Sequence, residues 1–229
     1  MKENRFIHRI DKDVVNQLPV VSFQGEVIVV RTKSQATAAV KYLRTQQYVG
    51  IDTETRPSFV HGVHYPTSLV QIATEQRCYL FQLKYLGFPK ELADLLSNAE
   101  VCKVGLALRD DWHGLNRMRP FVARNCVELQ SIVPRYGIFD LGLQKVFAIV
   151  FSQKISKNQQ LTNWENEVLT EDQARYASTD AWATLLIYKE LLLTKPLPEE
   201  EYKRLKEEDL QQLREHQQQM QALAKNNKS

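Results

Sequence analysis

The sequence predicts an α/β protein in which helices cover a mixed β-sheet. Three runs of strand-forming residues between positions 48 and 82 are separated by turns, which is typical of an antiparallel meander. Beyond Pro89 the pattern changes to an alternation of helix and strand, which favours further strands with helices packed on the sheet. The chain has 229 residues, of which 43% are hydrophobic and 25% charged, so it can bury the core of one large domain with extensions.

The elements of the first half follow from local patterns. Residues 1–24 are weakly patterned and interrupted by Pro19, so we expect an N-terminal extension that lies on the domain. A short strand is predicted at 25–30, followed by a helix through about residue 43 with Ser34 as its N-cap. The central strand of the meander spans 48–55, and the other two strands lie near 68–73 and 77–82.

The second half contains longer helices. Helices are predicted near 90–97, 108–117, 141–151 and 171–193, with strands near 101–104 and 126–129. We therefore expect residues 25–195 to form the domain. Residues 196–229 are polar and should form a helical tail, because their apolar residues are too sparse for a core-facing stripe. These apolar residues are Tyr202, Leu205, Leu210, Leu213, Met220 and Leu223, and weak self-association through them stays open as an alternative to a solvated tail.

Composition excludes several classes of protein. The net charge is only +3, so nothing in the overall balance calls for a nucleic acid or a membrane, and any electrostatic argument has to be local. The N-terminus does not resemble a signal peptide, and the longest aliphatic-aromatic run, 146–151, is too short to cross a bilayer. The cysteines are three in number and widely spaced, which argues against structural zinc and for the reducing cytosol, so a cytoplasmic location is predicted.

Two acids end the central strand of the meander. Asp52 and Glu54 are two residues apart, so their side chains point to the same face of the strand. Two carboxylates this close repel each other, and a divalent cation between them is one way to keep both ionised. A polar strand end that faces water is the alternative for such a pair on its own.

Further acids follow at two later places. Asp110 and Asp111 lie in the first turn of a predicted helix, where they could simply complement the helix dipole. Tyr176 and Asp180 lie four residues apart on one face of a late helix that is rich in alanine and can therefore approach another element closely. An aspartate buried in such a helix is costly unless it is paired or bound to a metal.

Taken in their order along the chain, the acid pair on the strand, the acids of the first helical turn and the Tyr-x-x-x-Asp motif resemble those of the DEDD superfamily of 3'-5' exonucleases. Within this superfamily they resemble the tyrosine-bearing (DEDDy) branch. The resemblance is to the ribonuclease D and Werner-type exonuclease domains, and it covers roughly residues 25–193. The segments that carry it are 49–55, 69–73, 103–111, 161–164 and 169–181. The spacing counted from Gly105 selects Asp111 rather than Asp110 as the family's third acid.

The resemblance implies a ribonuclease H-like fold, with three antiparallel plus two parallel strands covered by helices. It also implies hydrolysis of phosphodiester bonds from the 3' end of DNA or RNA by a two-metal mechanism. Asp52, Glu54 and Asp180 would hold the ion that binds the attacking water. Asp52 would bridge to a second ion, which Asp111 reaches directly or through water. Mg²⁺ or Mn²⁺ suits these oxygen ligands, and Tyr176 would orient the water or help to take its proton.

A second Tyr-x-x-x-Asp, at Tyr136 and Asp140, is expected to be structural. Gly137 lies inside this copy and weakens a helix there, and Asp140 stands before an apolar helical pattern as an N-cap would. The functional copy is therefore predicted to be Tyr176 and Asp180.

Substrate contacts are predicted from basic and aromatic residues near these motifs, which could meet phosphates or stack on a terminal base. The candidates are Thr53, Phe59, His61, Arg109, Lys154 and Lys157. Each could instead be an ordinary surface residue, or a core aromatic in the case of Phe59. Two functions compete with the exonuclease: a non-catalytic nucleic-acid-binding module that retains the fold, and a nuclease of other polarity.

Overall fold

The computed structural model of the chain describes residues 1–60, 62 and 65–226, without the side chains of residue 216 and residues 220–226. Within these residues the strands are β1 (Val20–Val21), β2 (Glu26–Val30), β3 (Tyr48–Thr55), β4 (Thr67–Ala73), β5 (Arg77–Gln82), β6 (Cys102–Gly105), β7 (Cys126–Glu128) and β8 (Lys154–Ile155). The α-helices are α1 (Lys12–Gln17), α2 (Lys33–Leu43), α3 (Leu83–Leu86), α4 (Lys90–Leu96), α5 (Leu108–Met118), α6 (Leu129–Ile132), α7 (Leu143–Phe151), α8 (Glu171–Leu193) and α9 (Glu199–Asn226).

The main sheet is mixed and has six strands in the order β2-β5-β4-β3-β6-β7. Strands β3, β4 and β5 form the antiparallel meander, and β6 and β7 run parallel to β3. The predicted α/β, ribonuclease H-like sheet of three antiparallel plus two parallel strands is thereby confirmed. Strand β2 adds a sixth strand, which pairs in parallel with the outer edge of β5.

Helices cover both faces of this sheet, because successive side chains along each strand point to opposite faces and both faces carry apolar side chains. Val49 and Ile51 of β3 point to one face, where they pack with apolar residues of α2, α4 and α5. The intervening residues of β3 point to the opposite face, which is covered by α8. That face is lined by small and apolar side chains such as Ala73 on β4 and Ala177 on α8.

The N-terminal segment packs on the α8 side of the domain. Ile10, Val15 and Phe23 are buried, and β1 pairs in parallel with β8. The backbone N–H of Phe23 donates to the Thr179 hydroxyl at 3.0 Å, and the Arg175 guanidinium donates to the Phe23 carbonyl at 2.8 Å. The segment is therefore hydrogen-bonded to α8, while the division into extension, domain and tail stays a prediction.

Two predicted N-caps are wrong. The cap of α2 is Thr32 and not Ser34: the Thr32 hydroxyl accepts from the Gln35 backbone, and the Gln35 side chain returns to the Thr32 backbone. This reciprocal arrangement needs Glu or Gln three residues after the cap, which Thr32 has and Ser34 lacks.

Asp140 is not the cap of α7, because that position belongs to Gly142. The Asp140 carboxylate is buried and accepts from the backbone N–H of Ile10 at 2.8 Å and from the Lys145 ammonium at 3.0 Å. Its role is thus to hold the N-terminal segment to the domain.

Within the predicted C-terminal tail, residues Glu199–Asn226 form the long helix α9. Its contacts with the body include two hydrogen bonds from Arg9 to Asp209, and Arg135 stacks over the Tyr202 ring. The side chains of Met220 and Leu223 lie outside the described residues, and self-association stays a prediction. Among the helices described here, none combines the length and hydrophobicity needed to cross a membrane.

Candidate active site

The site is built where β3 and α8 approach each other closely. A Cβ atom on Gly50 would collide with the Ala181 carbonyl oxygen, so only glycine permits this spacing. Because side chains alternate along a strand, Asp52 and Glu54 share the face of Gly50 and point toward α8. On α8, Asp180 directly precedes Ala181 and reaches the same place.

Three carboxylates meet at this crossing. One oxygen each of Asp52, Glu54 and Asp180 lies within 4.8 Å of the others, which is a spacing that a metal ion can bridge. All three donors are carboxylate oxygens, the ligand type that Mg²⁺ and Mn²⁺ prefer. The residues present therefore fit the predicted divalent metal ions.

The fourth acid, Asp111, lies beside this group. It accepts a hydrogen bond from the Thr53 hydroxyl at 2.5 Å, and its charge raises the pKa of Asp52. Its neighbour Asp110 is exposed, which is the arrangement expected if Asp111 is the acid that faces the site. Thr53, a candidate substrate contact from the sequence, thus orients an acid.

Burial raises the pKa values of all four acids, and repulsion from the other site acids adds to the rise for Asp52 and Glu54. Burial raises the pKa of Glu54 to about 9 and that of Asp52 well above its ordinary value, with further contributions from the neighbouring carboxylates. Burial also raises the pKa of Asp180 to about 7, although the Tyr176 hydroxyl and Lys157 oppose the rise. The pKa of Asp111 rises to about 6 for the same reason, opposed by its hydrogen bond from Thr53. Such a cluster carries an unbalanced negative charge when ionised, which a bound cation would relieve.

Tyr176 lies one helical turn before Asp180 and faces the same cavity. Its ring is buried against Trp164, with ring centroids 6.0 Å apart. Burial and the charges of Asp180 and Glu54 raise the pKa of the Tyr176 phenol, so the hydroxyl stays protonated at neutral pH. It can therefore take part in hydrogen bonds as an intact phenol.

A cavity of about 310 Å³ opens onto Asp52, Glu54 and Asp180, whereas Asp111 lines a neighbouring groove. Lys157, a candidate phosphate contact from the sequence, lines this cavity and is exposed. The other residues of the wall are not among those predicted from the sequence: Leu106, Gly142, Leu143, Gln144, Ile155, Ser156, Gln160 and Thr184. Gln160 belongs to the same polar segment as Lys157, and that proximity is the one signal that could have found it.

Thr53 also lines this cavity, whereas Arg109, Lys154 and Phe59 do not. Arg109 lies on a separate open groove with Trp112, and the Lys154 ammonium donates to the Asn16 carbonyl in the N-terminal segment. Phe59 is 84% exposed on the loop after β3, so it is not a core aromatic. His61 lies outside the described residues.

Comparison with known proteins gives the family. A family model described as 3'-5' exonuclease matches residues 27–194, which is most of the chain. The chain belongs to the 3'-5' exonuclease family. This confirms the resemblance that the acidic motifs predicted.

Its relatives include proteins of very different length. The mouse bifunctional 3'-5' exonuclease/ATP-dependent helicase WRN is 28% identical over 193 residues, in an alignment that covers 80% of this chain and 14% of that protein. A 3'-5' exonuclease of Arabidopsis thaliana is 27% identical over 197 residues, covering 79% of this chain and 67% of the relative. The chain thus spans a small part of the longest of these relatives.

Solved structures of exonuclease domains share the fold. The EXO domain of Aedes aegypti Nibbler superposes with a TM-score of 0.68 at 22% identity, covering 81% of this chain and 99% of that one. Escherichia coli RNase D, an exoribonuclease, superposes with a TM-score of 0.65 at 18% identity, covering 83% of this chain and 50% of that one. At these identities the likeness shows the ribonuclease H-like fold.

Proposed function

We propose that this chain is a metal-dependent 3'-5' exonuclease that hydrolyses phosphodiester bonds from the 3' end of DNA or RNA by a two-metal mechanism. The observation that carries the proposal is the convergence of Asp52, Glu54 and Asp180 oxygens within 4.8 Å, at the wall of a cavity lined also by Tyr176 and Lys157. Membership of the exonuclease family supports the same activity.

The ligands proposed for two Mg²⁺ or Mn²⁺ ions are the four acids. Asp52, Glu54 and Asp180 would hold one ion, and Asp52 and Asp111 the other. When bound, such ions lower the pKa of the attacking water and neutralise charge on the phosphate oxygens. The raised pKa values of the acids mean that binding displaces protons, so we expect metal affinity to rise with pH.

The remaining side chains would bind and orient. The Tyr176 hydroxyl keeps its proton, so it would orient the attacking water by hydrogen bonding rather than act as a base. Lys157 stands at the cavity wall, where its ammonium can pair with a phosphate of the bound strand. Attack of the water oxygen on phosphorus would then release the terminal nucleotide and leave a 3'-hydroxyl on the shortened strand.

The activity can be tested with oligonucleotides labelled at the 5' end. We expect progressive shortening from the 3' end with Mg²⁺ or Mn²⁺, loss of activity in EDTA, and loss in both Asp52→Ala and Asp180→Ala. Binding without cleavage by the wild-type protein would instead identify a non-catalytic nucleic-acid-binding module. Products that shorten from the 5' end would identify a nuclease of other polarity.

The substrate class is tested in the same assay. Matched DNA and RNA oligonucleotides, single-stranded and with recessed 3' ends, would show which backbone the cavity prefers. The proposed location is the cytosol, which suits the three unpaired cysteines.

A further inference from the structure

Gln71 is a buried polar residue that no role above explains. It lies on β4, inside the main sheet, and its exposed surface is 0%. Neither the Nε2 nor the Oε1 atom has a hydrogen-bond partner among the described residues. An unpartnered buried polar group costs about 1–3 kcal/mol, and native proteins contain few of them.

The register of the sheet places Gln71 beside the acids. On the antiparallel pair of β3 and β4, Gln71 lies directly opposite Asp52, and Ala73 lies opposite Gly50. Opposed residues point to the same face, with Cβ atoms about 4.5–5.5 Å apart. The Gln71 side chain therefore leaves β4 beside Asp52 on the face that α8 covers, and it is long enough to reach the Asp52 carboxylate.

The surroundings of Gln71 favour an apolar residue. Its neighbours along β4 on this face are Leu69 and Ala73, and Leu80 is its partner on β5. A leucine or methionine would fill such a place without the cost of an unpaired amide. An amide has one property that they lack, because it donates a hydrogen bond to a carboxylate without adding a positive charge that would compete with a cation.

We propose that Gln71 is a positioning residue whose Nε2 donates to the Asp52 carboxylate and fixes its orientation when the acids bind divalent cations. The inference rests on the proposed function, because it takes Asp52 as a ligand. Outer hydrogen-bond partners of this kind hold metal ligands in place, and their loss lowers metal affinity by about 10–100-fold. Asp52 would need such a partner most, since it is the acid proposed to serve both ions.

The test compares Gln71→Met, which keeps the volume and removes the amide, with wild type. We expect the melting temperature in EDTA to be unchanged or higher, because an unpaired polar group is removed. The Mn²⁺ dissociation constant measured by calorimetry should rise about 10-fold or more. With a labelled oligonucleotide, kcat should fall while KM stays close to the wild-type value.

The matched control is Ser178→Ala. The Ser178 hydroxyl is also buried and has no hydrogen-bond partner within the described part of the chain; it lies on α8 and not opposite an acid on β3. The melting temperature of Ser178→Ala in EDTA should be unchanged or higher, as for Gln71→Met. Its Mn²⁺ dissociation constant should equal that of wild type.

The outcomes separate the inference from the function. Wild-type Mn²⁺ affinity in Gln71→Met would overturn the inference and leave the exonuclease proposal intact. A wild-type protein that neither binds Mn²⁺ nor cuts would overturn the function itself. If Gln71→Met and Gln71→Leu both lose the fold in EDTA, Gln71 is a packing residue and the inference is wrong.

Discussion

Replacing Asp180 with asparagine should stabilise the protein in the absence of metal while abolishing its activity. The pKa of Asp180 is raised from 3.8 to about 7, chiefly by burial. The folded protein therefore holds this proton more tightly than the unfolded chain does. Its contribution to stability is present below pH 4 and is lost as the pH rises through about 7.

The magnitude follows from the two pKa values. At about 1.4 kcal/mol per pKa unit, the charged Asp180 costs about 4 kcal/mol at pH 8 relative to an acid of ordinary pKa. Asparagine removes this cost, but burial of its amide without full hydrogen bonding lowers the gain in stability by about 1–3 kcal/mol. We expect Asp180→Asn to be more stable than wild type by about 1–3 kcal/mol at pH 8 in EDTA.

The pH dependence of the stability difference between Asp180→Asn and wild type is a sharper test than its size at pH 8. Between pH 8 and pH 5 the advantage of the variant should shrink by about 2–3 kcal/mol, because the cost of the new amide is the same at both values. Urea unfolding in EDTA measures this difference. Asp172→Asn, at an exposed position in the first turn of α8, is the control and should change stability equally at both pH values. An advantage for Asp180→Asn that does not shrink toward pH 5 would refute the reasoning.

The remaining predictions use initial rates and thermal melts. Tyr176→Phe should lower kcat and leave Mn²⁺ binding intact, since it removes a hydroxyl and no metal ligand; weaker Mn²⁺ binding would contradict this. Asp111→Asn should abolish turnover and Asp110→Asn should spare most of it, and the reverse result would mean that α5 presents the other acid to the site. Asp140→Ala should lower stability by about 1.5–3 kcal/mol, because it removes a buried charged acceptor, with near-normal turnover; lost activity without a change in melting temperature would contradict its structural role.

The features that follow from local patterns could be predicted from the sequence. The bounds of β3 and α8 were predicted correctly because both carry continuous local signals, strand formers in one and a long helical pattern in the other. The grouping of Asp52, Glu54 and Asp180 was expected from their resemblance to a family, and the structure brings their oxygens together.

Contacts between distant parts of the chain could not be predicted. Asp140 was assigned to the nearest helix, whereas its partner is the backbone of Ile10. Lys154 is a candidate phosphate contact by its charge, whereas in the structure its ammonium donates to the carbonyl of Asn16. In both cases the deciding partner lies more than a hundred residues away, in a weakly patterned segment. The burial of the Gln71 amide could not be predicted either, because it depends on which residues pack against both faces of the sheet.

The hydrogen bonds between the N-terminal segment and α8 matter for anyone who shortens this protein. A chain trimmed to the family match would begin at residue 27 and lose Phe23, which bonds to Thr179 and Arg175 on either side of Tyr176. The same cut would uncover the apolar surface that Ile10 and Val15 now cover. If only the matched residues were expressed, α8 would carry Asp180 without the hydrogen bonds and packing of residues 1–26, so weak activity of such a fragment would say little about the activity of the 229-residue chain.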